Sequence, residues 1–118
     1  MTRVVEKGWG REVIFVSNDM YCGKLLCFDE AGQRGSMHFH MKKHETWYVQ
    51  SGSFRVYWID KFTAEVSSRE LKVGDTWSNE PGFSHQLEAL EADSVVFEVS
   101  TPDYPDDSYR VMKGDSQR

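Results

Sequence analysis

The chain has 118 residues, 39% hydrophobic and 14% aromatic, with a formal net charge of −5. That length predicts one domain burying roughly two-thirds of the surface its unfolded chain exposes. The acidic balance argues against a nucleic-acid partner, which calls for a basic stripe, and no apolar run approaches the roughly 20 residues that span a bilayer. The N-terminal stretch MTRVVEKGWGREVIF lacks an apolar h-region and a small-residue cleavage site, so no signal peptide is expected and the predicted compartment is the cytoplasm.

In chain order, residues 4–7 predict a short edge strand ended by Gly8-Trp9-Gly10. Residues 11–17 are β-branched and aromatic and stop at the turn dipeptide Asn18-Asp19. A third strand over 20–28 carries the only cysteines, Cys22 and Cys27. In one extended segment their Cα atoms stand about 16 Å apart at about 3.3 Å per residue, beyond disulfide reach and on opposite faces, so two free thiols are expected. Further strands are predicted over 36–41, 45–50, 53–60, 66–73, 76–79, 85–91 and 94–100, the 45–50 and 53–60 pair closed by a Ser51-Gly52 hairpin loop. No stretch holds a 3.6-residue period over ten positions, so the fold class is all-β, a sandwich or barrel. Residues 1–101 make the barrel domain and 102–118 a polar C-terminal tail that lies across the barrel or frays.

The stretch Gly32–Gly52 holds three of the four histidines, His38, His40 and His44. A spacing of two sends His38 and His40 to one face of a strand, and a turn followed by a second strand brings Glu45 to the same wall. Two imidazoles and a carboxylate suit Zn²⁺, Fe²⁺, Mn²⁺ or Ni²⁺. With Ser51-Gly52 as the loop, Glu45 faces Trp58, and Glu45, Trp47, Val49, Phe54, Val56 and Trp58 share one face. A carboxylate in that apolar wall needs a partner, and a metal would serve. The opposite face, with Met37, Phe39, Met41, Tyr48, Tyr57 and Ile59, is too apolar for water and predicts a homodimer, the other reading being cover by the N-terminal strand or the tail. His44 reads as a surface residue or one behind the site, and Lys42 and Lys43 as a solvated turn.

A second stretch, Gly74 to His85, has turns at Gly74-Asp75 and Pro81-Gly82 before His85 opens a strand. The two stretches together resemble the cupin superfamily. Its first motif, G-x5-H-x-H-x4-E-x6-G, is met by Gly32, His38, His40, Glu45 and Gly52. Its second, G-x5-P-x-G-x2-H-x3-N, is met by Gly74, Gly82 and His85, with Glu80 at the proline position (Pro81 follows) and Ala89 for the asparagine. The resemblance implies a double-stranded β-helix of jelly-roll type in which His38, His40, Glu45 and His85 bind one divalent transition metal: Zn, Fe, Mn or Ni.

Shorter motifs resemble mannose-6-phosphate isomerase-type cupins: Val5 to Arg11, with Gly8 where proline is usual; Glu45 to Gly52 (ETWYVQSG); Glu98-Val99; and Asp106-Asp107-Ser108-Tyr109-Arg110. One departure is His38, where the isomerase domain fused to guanylyltransferases tends to have Gln. This closer likeness implies a metal-dependent sugar-phosphate isomerase working through an enediolate on a small phosphorylated sugar; Arg110, in the D-D-x-x-R match, and Glu98 are the candidate catalytic residues, with Lys24 and Arg34 as lesser candidates for binding the substrate's phosphate. Arg suits a phosphate through its two-pronged donors, and a salt bridge to Asp106 or Asp107 is the alternative for Arg110. Tyr48 and Tyr57 are further candidates for the base. Two other functions compete: an iron-dependent dioxygenase of the small-cupin type, and a non-catalytic module that binds a carbohydrate or small acid.

Overall fold

Alternation of apolar and polar side chains every second residue drives this chain into strands whose inward faces pack against each other. The computed structural model describes residues 2–118 and contains β1 (Arg3–Lys7), β2 (Gly10–Ser17), β3 (Cys22–Phe28), β4 (Met37–Phe39), β5 (Glu45–Ser51), β6 (Ser53–Ile59), β7 (Val66–Lys72), β8 (Thr76–Asn79), β9 (His85–Ala89), β10 (Ser94–Ser100) and β11 (Tyr109–Met112), followed by a 3-10 turn. A six-stranded sheet in the order β1-β2-β3-β10-β5-β8 faces a five-stranded sheet in the order β11-β4-β9-β6-β7, with every pairing antiparallel. This is the all-β fold predicted from the turn spacing, in the jelly-roll form that the cupin resemblance implies. Among the described residues no helix is long and apolar enough to cross a membrane.

The two predicted hairpins around the histidine stretch do not form. β4 pairs with β9 and β11, whereas β5 pairs with β10 and β8 in the other sheet, so the 40–45 turn crosses from one wall to the other. Ser51-Gly52 also crosses between sheets, and Trp58 stands opposite His85 and Ser67, not Glu45. Gly52 has φ 71°, and a Cβ there would run into the Ser94 side chain, so only glycine makes this corner. The predicted inward set survives the different pairing: Glu45, Trp47, Val49, Phe54 and Val56 are all buried. Parity along a strand decides which way a side chain points, whichever strand lies beside it.

The hydrophobic core fills one half of the barrel, where Phe28, Val49, Phe54, Val56, Leu71 and Val96 meet. Two residues further along the same strands the inward side chains turn polar: Leu26 gives way to Lys24 on β3, Val96 to Glu98 on β10, Leu87 to His85 on β9. The site occupies this second half.

The tail is strapped to the barrel. β11 adds to the edge of β4, and Tyr109 stacks on Phe39 with ring centroids 5.2 Å apart. Further on, the Gly8 N–H donates to Ser116 Oγ at 3.0 Å and the Arg34 N–H to Asp115 Oδ2 at 2.8 Å. The apolar face assigned to a second subunit does not form as one face, because β4 and β5 lie in opposite sheets: on β4 Met37 is fully buried and Phe39 half-buried beside the tail, while Met41 is exposed in the turn and Tyr48 on the larger sheet. Both cysteines are free, Cys22 buried and Cys27 half-buried.

Candidate metal centre

His38 and His85 are directly opposed on β4 and β9, so both rings leave the inward face of the smaller sheet, 4.6 Å apart between centroids. His40 follows β4 with the same parity, its ring 5.0 Å from that of His38. Donor nitrogens of the three rings lie within 4.8 Å of one another. Glu45 comes from the opposite wall, at the start of β5, with Oε1 3.1 Å from His85 Nε2 and 3.6 Å from His40 Nε2.

The protons on these rings are dictated by their other nitrogens. His38 Nδ1 lies 3.0 Å from the Ser36 carbonyl, His40 Nδ1 2.7 Å from that of Asp107, and His85 Nδ1 2.8 Å from that of Phe83. A carbonyl only accepts, so each Nδ1 carries the hydrogen and each Nε2 turns a bare lone pair inward. Among the described residues neither Glu45 Oε1 nor His85 Nε2 has a hydrogen-bond partner, although both are buried. Two acceptors facing each other at 3.1 Å repel.

Adding a proton to a ring would relieve this, but burial lowers the pKa of His38 to about 3 and of His85 to about 4, helped by the neighbouring rings, and lowers that of His40 too. A divalent cation between them relieves the repulsion without a proton, and three neutral nitrogens with one carboxylate oxygen suit a transition metal. The residues present fit the ion. His44, exposed in the turn, stands outside the cluster.

The cluster opens into a cavity of about 370 Å³ between the sheets, lined also by Trp9, Trp47 and Leu87 and closed at its rim by the tail residues Asp103, Tyr104, Pro105, Ser108, Arg110, Ser116 and Gln117. Glu98 is buried in its wall, where Trp47 Nε1–H donates to Oε1 at 3.0 Å and Lys43 Nζ to Oε2 at 3.1 Å. Burial, with the Glu45 carboxylate beside it, raises the Glu98 pKa against the opposing pull of Lys43.

Lys43 corrects the sequence reading: only Lys42 is solvated, while Lys43 is buried and turned inward. Burial alone would strip its proton, but Glu98, Glu45 and Asp103 hold it firmly charged. Lys24 lines the cavity as well, 3.3 Å from Glu12 and 3.0 Å from Asp103. Arg110 stands opposite His38 across the β11–β4 ladder and lines the rim, and no ion pair to Asp106 or Asp107 forms. Arg34 lies away from the cavity, its guanidinium 2.6 Å from Glu88 and over the Tyr57 ring. Tyr57 donates to Glu88 at 2.7 Å and Tyr48 is exposed on the outer face, and neither lines the cavity.

Asp107 is a residue whose part sequence reasoning missed. Its carboxylate accepts the N–H groups of Met41 at 2.9 Å, Lys42 at 3.1 and 3.2 Å and Lys43 at 3.0 Å, while its own carbonyl holds His40. One tail residue therefore shapes the turn that joins His40 to Glu45.

Comparison with protein-family models and with curated protein sequences gives no match. Solved structures do match. The capsular polysaccharide assembling protein CapF from Staphylococcus aureus is 17% identical with a TM-score of 0.83 over 95% of this chain and 34% of CapF. KdgF from Halomonas sp. is 26% identical with a TM-score of 0.70 over 81% of each chain. Oxalate decarboxylase from Bacillus subtilis is 22% identical with a TM-score of 0.76 over 93% of this chain and 30% of the enzyme. The chain thus spans about a third of the length of CapF and of the decarboxylase. All three are cupin-fold proteins, and this chain has the cupin fold, a jelly-roll barrel with a cluster of three histidines on its inner wall that could hold a metal ion.

Proposed function

We propose that the protein is a metal-dependent isomerase that moves a proton between neighbouring carbons of a small phosphorylated sugar. The observation that carries this reading is Glu98, a carboxylate of raised pKa in the cavity wall beside the four metal-binding side chains. A divalent ion bound by His38, His40, Glu45 and His85 would supply Lewis-acid polarisation of the substrate's oxygens. Glu98 takes the carbon-bound proton and returns it to the adjacent carbon; its raised pKa brings it closer to the working pH, as a shuttle requires. Trp47 and Lys43 each hold one of its oxygens and fix its orientation. Trp9, Trp47 and Leu87 keep water from the reacting face, and Lys24 inside the cavity takes the phosphate, with Arg110 at the rim. Arg34, outside the cavity, has no part in this scheme.

The test is elemental analysis of protein purified without chelators, then a screen of hexose phosphates in D₂O. Stoichiometric metal and solvent deuterium at carbon 2, lost in Glu98→Gln, are expected. Absence of metal before and after soaking overturns the reading, and saturable sugar binding with no turnover turns it to a binding module. A second reading rests on the nitrogen-rich donor set, which also suits Fe²⁺ and dioxygen. Oxygen uptake with Fe²⁺ and none with Zn²⁺ selects it.

We also infer a homodimer, now through the outer face of the larger sheet. Val4, Val13, Leu25, Phe97 and Tyr48 form one unbroken apolar row across its strands, with Phe15 packed on Phe97 at 5.2 Å. Light scattering on Phe97→Lys is expected to report a monomer where the natural chain is dimeric.

A further inference from the structure

Two lysines face the cavity almost without solvent contact, Lys24 at 6% and Lys43 at 4% exposure. Three carboxylates surround them. Lys24 Nζ is 3.3 Å from Glu12 Oε1 and 3.0 Å from Asp103 Oδ2, and Lys43 Nζ is 3.1 Å from Glu98 Oε2 and 3.3 Å from Asp103 Oδ1.

These carboxylates are not equally fixed. Glu12 and Glu98 belong to β2 and β10, and Glu98 is the cross-strand neighbour of Lys24, so the larger sheet holds them in place. Asp103 lies between β10 and β11 in a stretch without strand, at the mouth of the cavity, and its side chain keeps 35% exposure. Its carboxylate bridges both ammonium groups, one oxygen to each.

We propose that Lys24 and Lys43 form an anion seat and that Asp103 is its removable occupant. A carboxylate or phosphoryl group of the substrate takes over the seat with one oxygen on each lysine, and Asp103 turns out into solvent. This rests on the reading of the cavity as a substrate site and names the class it accepts: small anions. Charge supports the exchange. The cavity is lined by four cationic side chains (Lys7, Lys24, Lys43, Arg110) and four anionic ones (Glu12, Glu45, Glu98, Asp103). A divalent ion makes the cavity net positive. Exchanging one carboxylate for another leaves that excess unchanged, and a phosphoryl dianion reduces it. Two ammonium donors that already bridge two oxygens of one anion need no rearrangement to bridge another.

The probe is inorganic phosphate, titrated calorimetrically into the full-length protein as purified. Asp103→Asn removes the competing charge and leaves both lysines, so it is expected to bind phosphate about ten-fold or more tightly than the natural chain. Adding Lys24→Met is expected to abolish that gain, which separates the lysine seat from phosphate held on a metal. Equal or weaker binding by Asp103→Asn overturns the proposal, as does a gain that survives Lys24→Met. Hydrogen exchange on the natural chain gives a second readout independent of any variant's folding: saturating phosphate is expected to deprotect the amides of residues 101–108, and unchanged protection overturns the exchange. Neither measurement involves turnover, so an absence of isomerase activity leaves both outcomes readable.

Discussion

Replacing Asp107 with alanine removes the acceptor for three consecutive N–H groups, those of Met41, Lys42 and Lys43, at 2.9–3.2 Å. Bonds to a charged acceptor contribute about 1.5–3 kcal/mol each, but partly exposed amides recover some of that from water, so the expected loss of folding stability is about 3 kcal/mol. The consequence reaches the site as well as the fold. The Asp107 carbonyl holds His40 Nδ1 at 2.7 Å, and the turn it shapes leads straight into Glu45. Alanine keeps the carbonyl at position 107, but with the turn loosened His40 and Glu45 lose their fixed positions, and disturbing outer support of this kind lowers metal affinity by about 10-fold. Asp107→Asn keeps one acceptor oxygen and falls between, near 1 kcal/mol. Urea denaturation gives the stability term, chelator competition the affinity, and the absorption of bound Co²⁺ the ligand geometry. If Asp107→Ala lost stability but bound metal within two-fold of the natural chain with an unchanged Co²⁺ spectrum, the coupling of the tail to the metal centre would be refuted.

Glu45→Gln puts an amide donor opposite the bare His85 Nε2, 3.1 Å away in the natural chain. The metal-free form is therefore expected to gain about 1–2 kcal/mol while metal binding is lost, and a lower melting temperature in chelator would contradict the repulsion argued here. Lys43→Met leaves the buried Glu98 without its cation and is expected to cost about 3–5 kcal/mol in a denaturant titration, whereas a solvated turn lysine would cost almost nothing. Protons bind the unfolded rings below pH 6.5 but the folded His38 and His85 only near about 3 and about 4. Stability of the metal-free protein is thus expected to fall as pH drops from 6.5 towards 4, with the raised Glu98 carboxyl offsetting part of the fall, and bound metal is expected to persist until that lower limit. A melting temperature flat across this range, or half the metal lost by pH 6.5, would count against neutral preset rings.

Much of this was legible from local rules. A side-chain period of two gave the inward set Glu45, Trp47, Val49, Phe54 and Val56 without knowledge of any partner strand, and the turn residues marked most strand ends. Spacing in the two cupin motifs picks out His38, His40, Glu45 and His85, the four side chains of the candidate metal site. What local rules lacked was the pairing. Adjacency in the chain predicts β4 and β5 as one hairpin, yet they lie in opposite sheets.

The sequence by itself determined which side chains point into the barrel and which of them carry nitrogen or oxygen donors, because backbone pleat and residue chemistry are local. Only the tertiary structure decided that Glu45 meets the imidazoles across the barrel rather than beside them, and that Lys43 turns inward to Glu98. The same holds for Asp107 locking His40 and for Asp103 bridging two lysines. Each of those contacts joins residues far apart in the chain, and their geometry comes from how two sheets and a returning tail close around one polar cavity.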